Sequence, residues 1–467
     1  MKNYLYILIL YLAAVIYPLQ LSAQNLSVSG QAALQTLVSN SQRQPFYFWA
    51  NQLGQVSALE QVQLFTHILA KGVYRLRNEN QAFFAGLNTN LNQNRRTSVN
   101  LPELYGGFQA KYLQLTAGLF SDSVRLAGLS PSNGNFMVTR NASPHPRFRL
   151  GTNRFIRFLE KDLFVAALFE EGLLNDNRWV NQAKLHHKNL YLRLGNPGLI
   201  EVTGGLDHYI FWGGHIQTED YTPDLKDYIR TLFAGSYYAE SIDMMNTIGN
   251  QLGQYQLMVR KTFPAVTGTF QVSHIFEDPS GVNFMNYPDN MYTLLLTFKH
   301  LPRLKNLLLE YTHTKHQSGP ARDPETGLHR PSSGDNYFSH SQYRSGFTYQ
   351  GYFIGTPLFG PLRYTTDGMP YGPANNRFSA IHLGLSGNLS PSVEYKLMAT
   401  HSQNFGRRSA EYEPVRNQFF SMASVRYTFR PRPNLFLEGQ AAFDRGTLWT
   451  GEYSTNTGLN LSFGFTF

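Results

Sequence analysis

Apolar and polar residues alternate with a period of two along much of this chain, most cleanly in the last ten residues, 458–467. Leu459, Leu461, Phe463, Phe465 and Phe467 fall on one side, and Asn460, Ser462, Gly464 and Thr466 on the other. Successive side chains of a β-strand point to opposite faces, so this segment has one greasy face and one small polar face. The pattern recurs upstream. Phe83, Ala85, Leu87 and Leu91 oppose Phe84, Gly86, Asn88 and Asn90, while Leu190, Leu192 and Leu194 oppose Asn189, Tyr191 and Arg193. Tyr255, Leu257 and Val259 oppose Gln254, Gln256 and Arg260, and Leu307, Leu309 and Tyr311 oppose Glu310 and Thr312. Val393, Tyr395 and Leu397 stand against Glu394 and Lys396, and Val425, Tyr427 and Phe429 against Arg426 and Thr428. Turn signals such as Leu389-Ser390-Pro391-Ser392 and Arg430-Pro431-Arg432-Pro433-Asn434 separate the segments.

Repeated amphipathic strands, the last of them closing on an aromatic residue, predict an all-β transmembrane antiparallel barrel of the bacterial outer membrane. At ~10 residues per strand plus turns and loops, the chain accommodates about 18 strands, with 16–18 as the range. One face of each strand would meet lipid, and every backbone polar group would be paired inside the closed sheet. A large soluble β-sandwich or propeller is the competing fold. No segment offers ~18 consecutive apolar residues, which excludes spanning helices.

Two N-terminal stretches depart from the pattern. Residues 1–23 carry Lys2, an apolar run over 4–19 and the small-residue site Leu21-Ser22-Ala23 before Gln24, the signature of a secretory signal peptide. In residues 24–72, Leu59, Val62, Phe65 and Leu69 recur at nearly helical spacing, and Ala33, Leu34, Leu37 and Val38 form a shorter stripe. This predicts a small helical element, outside the barrel or plugging one mouth, with the barrel proper over 73–467. A plug would bury the aromatic residues around Trp49. The longest breaks in alternation fall near 121–146, 218–249, 319–335 and 355–376. With both chain ends expected in the periplasm, these loops are assigned mainly to the outer side.

Composition narrows the chemistry. The 467 residues contain no cysteine, which removes disulfides, a lipoprotein anchor, thiolate metal sites and cysteine nucleophiles. The net charge is +9, yet no Lys/Arg run is dense enough for a nucleic-acid patch. A basic excess in an exported barrel points toward anionic glycan or lipopolysaccharide, beside the outer-membrane lipid itself.

The polar faces should line the lumen, which places Arg193, Arg260, Arg344, Lys396 and Arg426 inward with Glu310 and Glu394. On the lipid face each charge would cost ~2–4 kcal/mol near the midplane. A cationic path for an acidic polymer and a set of interior salt bridges both fit this placement. The run Asp207-His208-Tyr209-Ile210-Phe211-Trp212-Gly213-Gly214-His215 combines acid, imidazole and aromatic groups, which suits either sugar stacking or an aromatic girdle at the bilayer edge. His313 and His316 would point to opposite faces of a strand and lack further ligands, so no metal is expected. No Gly-x-Ser-x-Gly elbow or nucleophile–base spacing is present, and no cofactor is implied.

Several stretches resemble the Wzi-type capsule assembly family, in particular its Bacteroidetes-like branch. They are 45–54 (PFYFWANQLG), 206–214 (LDHYIFWGG), 309–312 (LEYT) with 317–320 (QSGP), 346–355 (GFTYQGYFIG) with 357–359 (PLF), 375–377 (NNR) and 382–387 (HLGLSG). In order and spread they cover most of the chain after residue 23. The resemblance implies an outer-membrane barrel of about 18 strands with a helical element on the periplasmic side. It also implies a non-catalytic lectin role: binding capsular or other surface polysaccharide and helping to organise it. Under that reading Trp49, Tyr209 and Trp212 are stacking platforms. Asn51, Asp207, Arg363, Asn376 and Arg377 are partners for hydroxyls or carboxylates. A diffusion channel (porin) or a barrel hydrolase is the alternative from another class.

Overall fold

The computed structural model describes residues 25–77, 80–93, 97–158, 162–196, 198–216, 219–220, 225–232, 249–320, 322, 325–328 and 333–467. The expected signal peptide lies outside the described residues. Eighteen antiparallel strands close into one barrel. The first nine are β1 (Leu26–Ser39), β2 (Val62–Arg75), β3 (Ala82–Gln93), β4 (Thr97–Gln109), β5 (Leu113–Leu119), β6 (Arg147–Thr152), β7 (Leu163–Leu174), β8 (Ala183–Asn196) and β9 (Ile200–Trp212). The second nine are β10 (Asn250–Thr262), β11 (Val266–Phe276), β12 (Asn290–Phe298), β13 (Asn306–His313), β14 (Phe378–Ser390), β15 (Val393–Arg407), β16 (Ala410–Thr428), β17 (Leu435–Gly446) and β18 (Ser454–Thr466). A two-residue piece, Ile156–Arg157, continues the line of β6 against β7.

Each strand pairs with its neighbours in sequence, and β1 closes the ring by pairing with both β2 and β18, Ala32 lying opposite Ile68 and Phe465. Gly30 and Phe467 exchange backbone hydrogen bonds of 2.9 and 3.0 Å, so the pairing runs to the last residue. Closure leaves no sheet edge, which a bilayer demands. The alternation has the expected sense: Leu459, Leu461 and Phe463 are 66, 57 and 51% exposed on the outside, whereas Asn460 is 6% exposed within.

The helical reading of residues 24–72 is corrected. Apart from Leu59, which precedes β2, both periodic stretches belong to barrel strands, and the helix between them is a single turn, α1 (Phe46–Trp49). Leu34 and Val38 face outward while Ala33 and Leu37 face the interior; Val62 is likewise outside and Phe65 inside. At this end of the barrel both faces of a strand are apolar, which erases the two-residue period and mimics a helical one. Pairing an otherwise open sheet edge outweighs that local pattern.

The long connections leave and re-enter the strands at the end opposite Phe467: 40–61, 120–146, 277–289 and those bounded by residues 212 and 250 and by residues 313 and 378. The breaks at 319–335 and 355–376 belong to one loop, and that at 218–249 lies largely outside the described residues. Helix α1 lies in the first of these loops, away from the termini, so the periplasmic-side helical element implied by resemblance is at the opposite mouth. The strand register predicts a contrast between adjacent residues. Leu461→Arg should cost ~2–4 kcal/mol of unfolding free energy in vesicles, whereas Ser462→Arg, directly opposite Glu438, should cost less than about 1 kcal/mol. Equal losses in denaturant titrations would contradict the register.

Candidate functional site

The polar inner face is used first to hold a loop. The segment 120–146, between β5 and β6, folds back across the lumen. Ser130 and Ser132 donate from their Oγ atoms to the two carboxylate oxygens of Glu310 at 2.7 and 2.6 Å. The Phe136 N–H donates to Gln254 Oε1 at 2.9 Å, and the Gly134 carbonyl accepts from Ser273 Oγ at 3.0 Å and from Gln271. His382 Nε2 donates to the Leu129 carbonyl at 2.7 Å, and Lys396 Nζ to the Gly128 carbonyl at 3.2 Å. These side chains come from β10, β11, β13, β14 and β15, so the segment is fastened to a wide arc of the wall. At its start Asp122 meets Arg149 at 2.7 Å and Arg147 at 3.4 Å, and Glu170 meets the same two guanidiniums at 2.6 and 2.9 Å. Burial of charges on this scale is tolerated because each is paired twice.

Above this crossing, loop aromatic residues fill the mouth. Phe46, Tyr47, Phe48 and Trp49 are all buried. Phe46 stacks on Phe420 of β16 with centroids 4.3 Å apart, and its N–H donates to Asp444 Oδ2 at 2.8 Å. The Tyr47 hydroxyl lies 2.6 Å from Thr400 Oγ1. Phe338, Phe347, Phe353 and Phe359 of the 314–377 loop pack on one another and on inward-facing Phe211 and Phe378. Helix α1 is therefore a plug, and its position in the mouth follows from its apolar residues meeting an apolar ring of strand ends.

On the outer surface of the plug lies a cleft of about 310 Å³ lined by Arg43, Trp49, Tyr352, Leu362, Tyr364 and Trp449. The Arg43 guanidinium sits 4.3 Å from the Trp449 ring centroid, and Trp449 packs edge-on against Trp49 at 6.1 Å. The Tyr352 hydroxyl donates to the Val56 carbonyl at 2.7 Å, orienting its ring. Burial lowers the Arg43 pKa, opposed by Asp444 and Tyr364, and a guanidinium stays charged at neutral pH regardless. The indole N–H groups of Trp49 and Trp449 are buried without a protein acceptor. Flat aromatic faces and a cation in one concavity are components of a saccharide subsite.

The residues singled out from sequence divide three ways. Trp49 reaches the cleft wall, and Arg363, half-buried on the hairpin beside Leu362, lies near it over Tyr371 at 4.5 Å. Asn51 stabilises the plug by donating to the Pro131 carbonyl at 2.7 Å. Asp207 and Tyr209 are buried in the interior: Asp207 accepts from His187, Asn189 and Gln254 at 3.1–3.2 Å and from Tyr191, and Tyr209 stacks on His187 at 3.9 Å. Trp212 donates to Glu171 at 3.2 Å under the Lys184 ammonium. Asn376 is fully buried, donating to Asn336 at 2.7 Å, and Arg377 pairs with Glu411. Of the expected luminal charges, Arg193 and Arg260 share Glu201 at 3.5 and 3.8 Å, Arg426 meets Glu438 at 3.5 Å, and Lys396 holds the crossing segment. Arg344 is a correction: it lies exposed on the 314–377 loop, 4.4 Å from the Trp179 centroid. The run 341–346 closes into turns, with hydrogen bonds from Arg344 N to the Gln342 carbonyl and from Gly346 N to the Tyr343 carbonyl, so no strand points it inward. Arg43, Tyr352, Tyr364 and Trp449 were not signalled by alternation or spacing; Tyr352 alone falls within a motif that carried the resemblance.

No family model and no curated protein matches this sequence. Among solved structures it is similar to Wzi of Escherichia coli, described as an outer-membrane protein involved in group 1 capsule assembly and a carbohydrate-binding β-barrel. The TM-score is 0.54 at 13% identity, covering 93% of this chain and 84% of that one. It is also similar to OccK5 (OpdH) of Pseudomonas aeruginosa, with a TM-score of 0.50 at 9% identity, covering 95 and 99%. The outer-membrane barrel fold is thus shared with Wzi and with OccK5.

His145, at the end of the crossing segment, is 4% exposed and packed edge-on against Tyr349 at 5.8 Å. Burial, aided by Arg147, pushes its pKa from 6.5 down to about 3. A histidine buried neutral binds its proton more readily once released, so the closed loop loses stability as pH falls below 6.5. Between pH 6.5 and 5 that loss is about 2 kcal/mol. Limited proteolysis of the loops should accelerate over this window in the wild type, and His145→Gln should flatten the dependence.

Proposed function

We propose that this protein is a non-catalytic, lectin-like component of the outer membrane of a Gram-negative bacterium. Its role is to bind capsular or related surface polysaccharide and help attach it. The observation that carries this reading is the cleft of Arg43, Trp49, Tyr352, Tyr364 and Trp449 on the outer surface of a mouth filled by aromatic loops. A barrel of this size that worked as a diffusion channel would keep an aqueous path. Here the path is crossed by the 120–146 segment and packed above it. The carbohydrate-binding description of the structurally similar Wzi agrees with the reading, as do the motif stretches at 45–54 and 346–355.

In mechanism, the aromatic walls stack the C–H faces of sugar rings, and Arg43 pairs with carboxylates of an acidic polymer. No bond is made or broken, and retention at the surface follows from many weak contacts along one chain. Trp449→Ala should weaken binding of purified protein to acidic polysaccharide by roughly tenfold, the scale of one lost stacking contact with its cation–π partner. In planar bilayers the wild type should give no steady conductance. Deleting the gene should leave polymer synthesis intact and release it into the medium. A deletion strain with full surface polymer, or a wild-type barrel with large open conductance, would favour the porin alternative.

A further inference from the structure

On the other side of the crossing segment lies a second cavity, of about 730 Å³, which no part of the outer cleft touches. It runs from Arg125 and Leu126, on the crossing segment, down to Asn153, Phe155, Thr267 and Thr297, beside the turns at the end where Phe467 lies. Its walls are the inner faces of β5 to β12. They carry hydroxyl and amide groups, among them Gln114, Asn189, Tyr191, Gln256, Thr269 and Gln271. That volume is in the range of small-molecule sites and far larger than a bare inorganic anion requires.

The charges around it do not cancel. Arg149 is matched, together with Arg147, by Asp122 and Glu170. Arg193 and Arg260, however, share the single carboxylate of Glu201, at 3.5 and 3.8 Å, and the Arg260 side chain remains 52% exposed. Arg125 is exposed and reaches toward the Tyr191 hydroxyl. Asp207, which accepts from the Tyr191 hydroxyl, offsets one of these charges. The remaining guanidinium, set among many hydroxyl and amide groups, matches a ligand with a carboxylate and several hydroxyls. Phe155, capped by the Arg193 guanidinium at 4.5 Å, adds an aromatic surface at the rim.

We propose that this cavity is a second binding site, open toward the end that carries the chain termini, for acidic oligosaccharide of the uronic-acid class, with Arg125 and Arg260 pairing its carboxylates. The site goes beyond the outer cleft and is separated from it by the crossing segment, so the two can be tested apart.

The test is calorimetric titration of the full, detergent-solubilised protein with a galacturonic acid trimer, with maltotriose as the neutral trimer and with inorganic phosphate. The acidic trimer should bind at least about tenfold more tightly than the neutral one, and more weakly as salt rises. An Arg125→Gln/Arg260→Gln variant should lose about that factor, while Trp449→Ala, in the outer cleft, should leave the inner site's affinity unchanged. Arg260→Gln alone, at a half-exposed position, serves if the double variant does not keep the heat-resistant migration of a folded barrel. Equal binding of acidic and neutral trimers, or wild-type affinity in the arginine variants, would overturn the proposal. Full displacement of the trimer by equimolar phosphate would overturn its saccharide assignment. Loss of trimer binding in Trp449→Ala with retention in the arginine variants would place the only saccharide site in the outer cleft.

Discussion

An eighteen-strand closed sheet encloses more space than its own inward side chains can fill. Closure is imposed by the bilayer, because an unpaired strand edge would leave backbone donors and acceptors in hydrocarbon. The chain then has to fill the lumen, leave it wet, or divide it. This chain divides it. The 120–146 segment spans the interior, fastened by Glu310, Gln254, Gln271, Ser273, His382 and Lys396, and the outer loops pack on top of it.

That division explains why the inner face has two compositions. Near the termini the inward positions are polar and partly wet. Near the loops they are apolar: Leu37, Phe65, Phe211, Leu252, Ile275 and Phe420 are all buried against the plug. Where the inner face is polar, strands read as clean alternation, and the alternating stretches 254–260, 425–428 and 458–466 lie within β10, β16 and β18. Where it is apolar, both faces are greasy and the period disappears. β1 and β2 were therefore mistaken for helical stripes, although they form the seam that closes the barrel. Sequence periodicity reports the contrast between two faces, and it fails where a third partner makes them alike.

The candidate site was legible only in part for a different reason. The cleft is assembled from three loops, with Arg43 and Trp49 on the first, Tyr352 and Tyr364 on another, and Trp449 in the last outer turn. Nothing local ties Trp449 to Arg43, whose guanidinium lies over its ring after some four hundred intervening residues. Conversely, the Asp207–Trp212 run joins polar and aromatic groups, which suit a sugar platform as well as a girdle at the bilayer edge. In the fold those groups satisfy one another: Asp207 takes four donors, and Tyr209 is sandwiched between His187 and Phe347. Chemistry suited to a ligand is equally suited to a buried network, and only exposure separates the two.

The crossing segment also sets what the barrel can do dynamically. Hydrogen bonds of this kind contribute roughly 0.5–1.5 kcal/mol each, more where one partner is charged as at Glu310 and Lys396. They cannot be released one at a time to open a path, because together they fasten the same segment to five strands. Taken with the doubly paired Asp122 and Glu170, they make a spontaneously open lumen a minor state. Ligands on the two sides therefore meet different surfaces: outside, stacked rings with one cation; inside, hydroxyl and amide groups with one surplus guanidinium. On the proposed function, a polymer too wide to pass the septum would be held at either face, and the chemistry of each face, not passage between them, would decide what is retained.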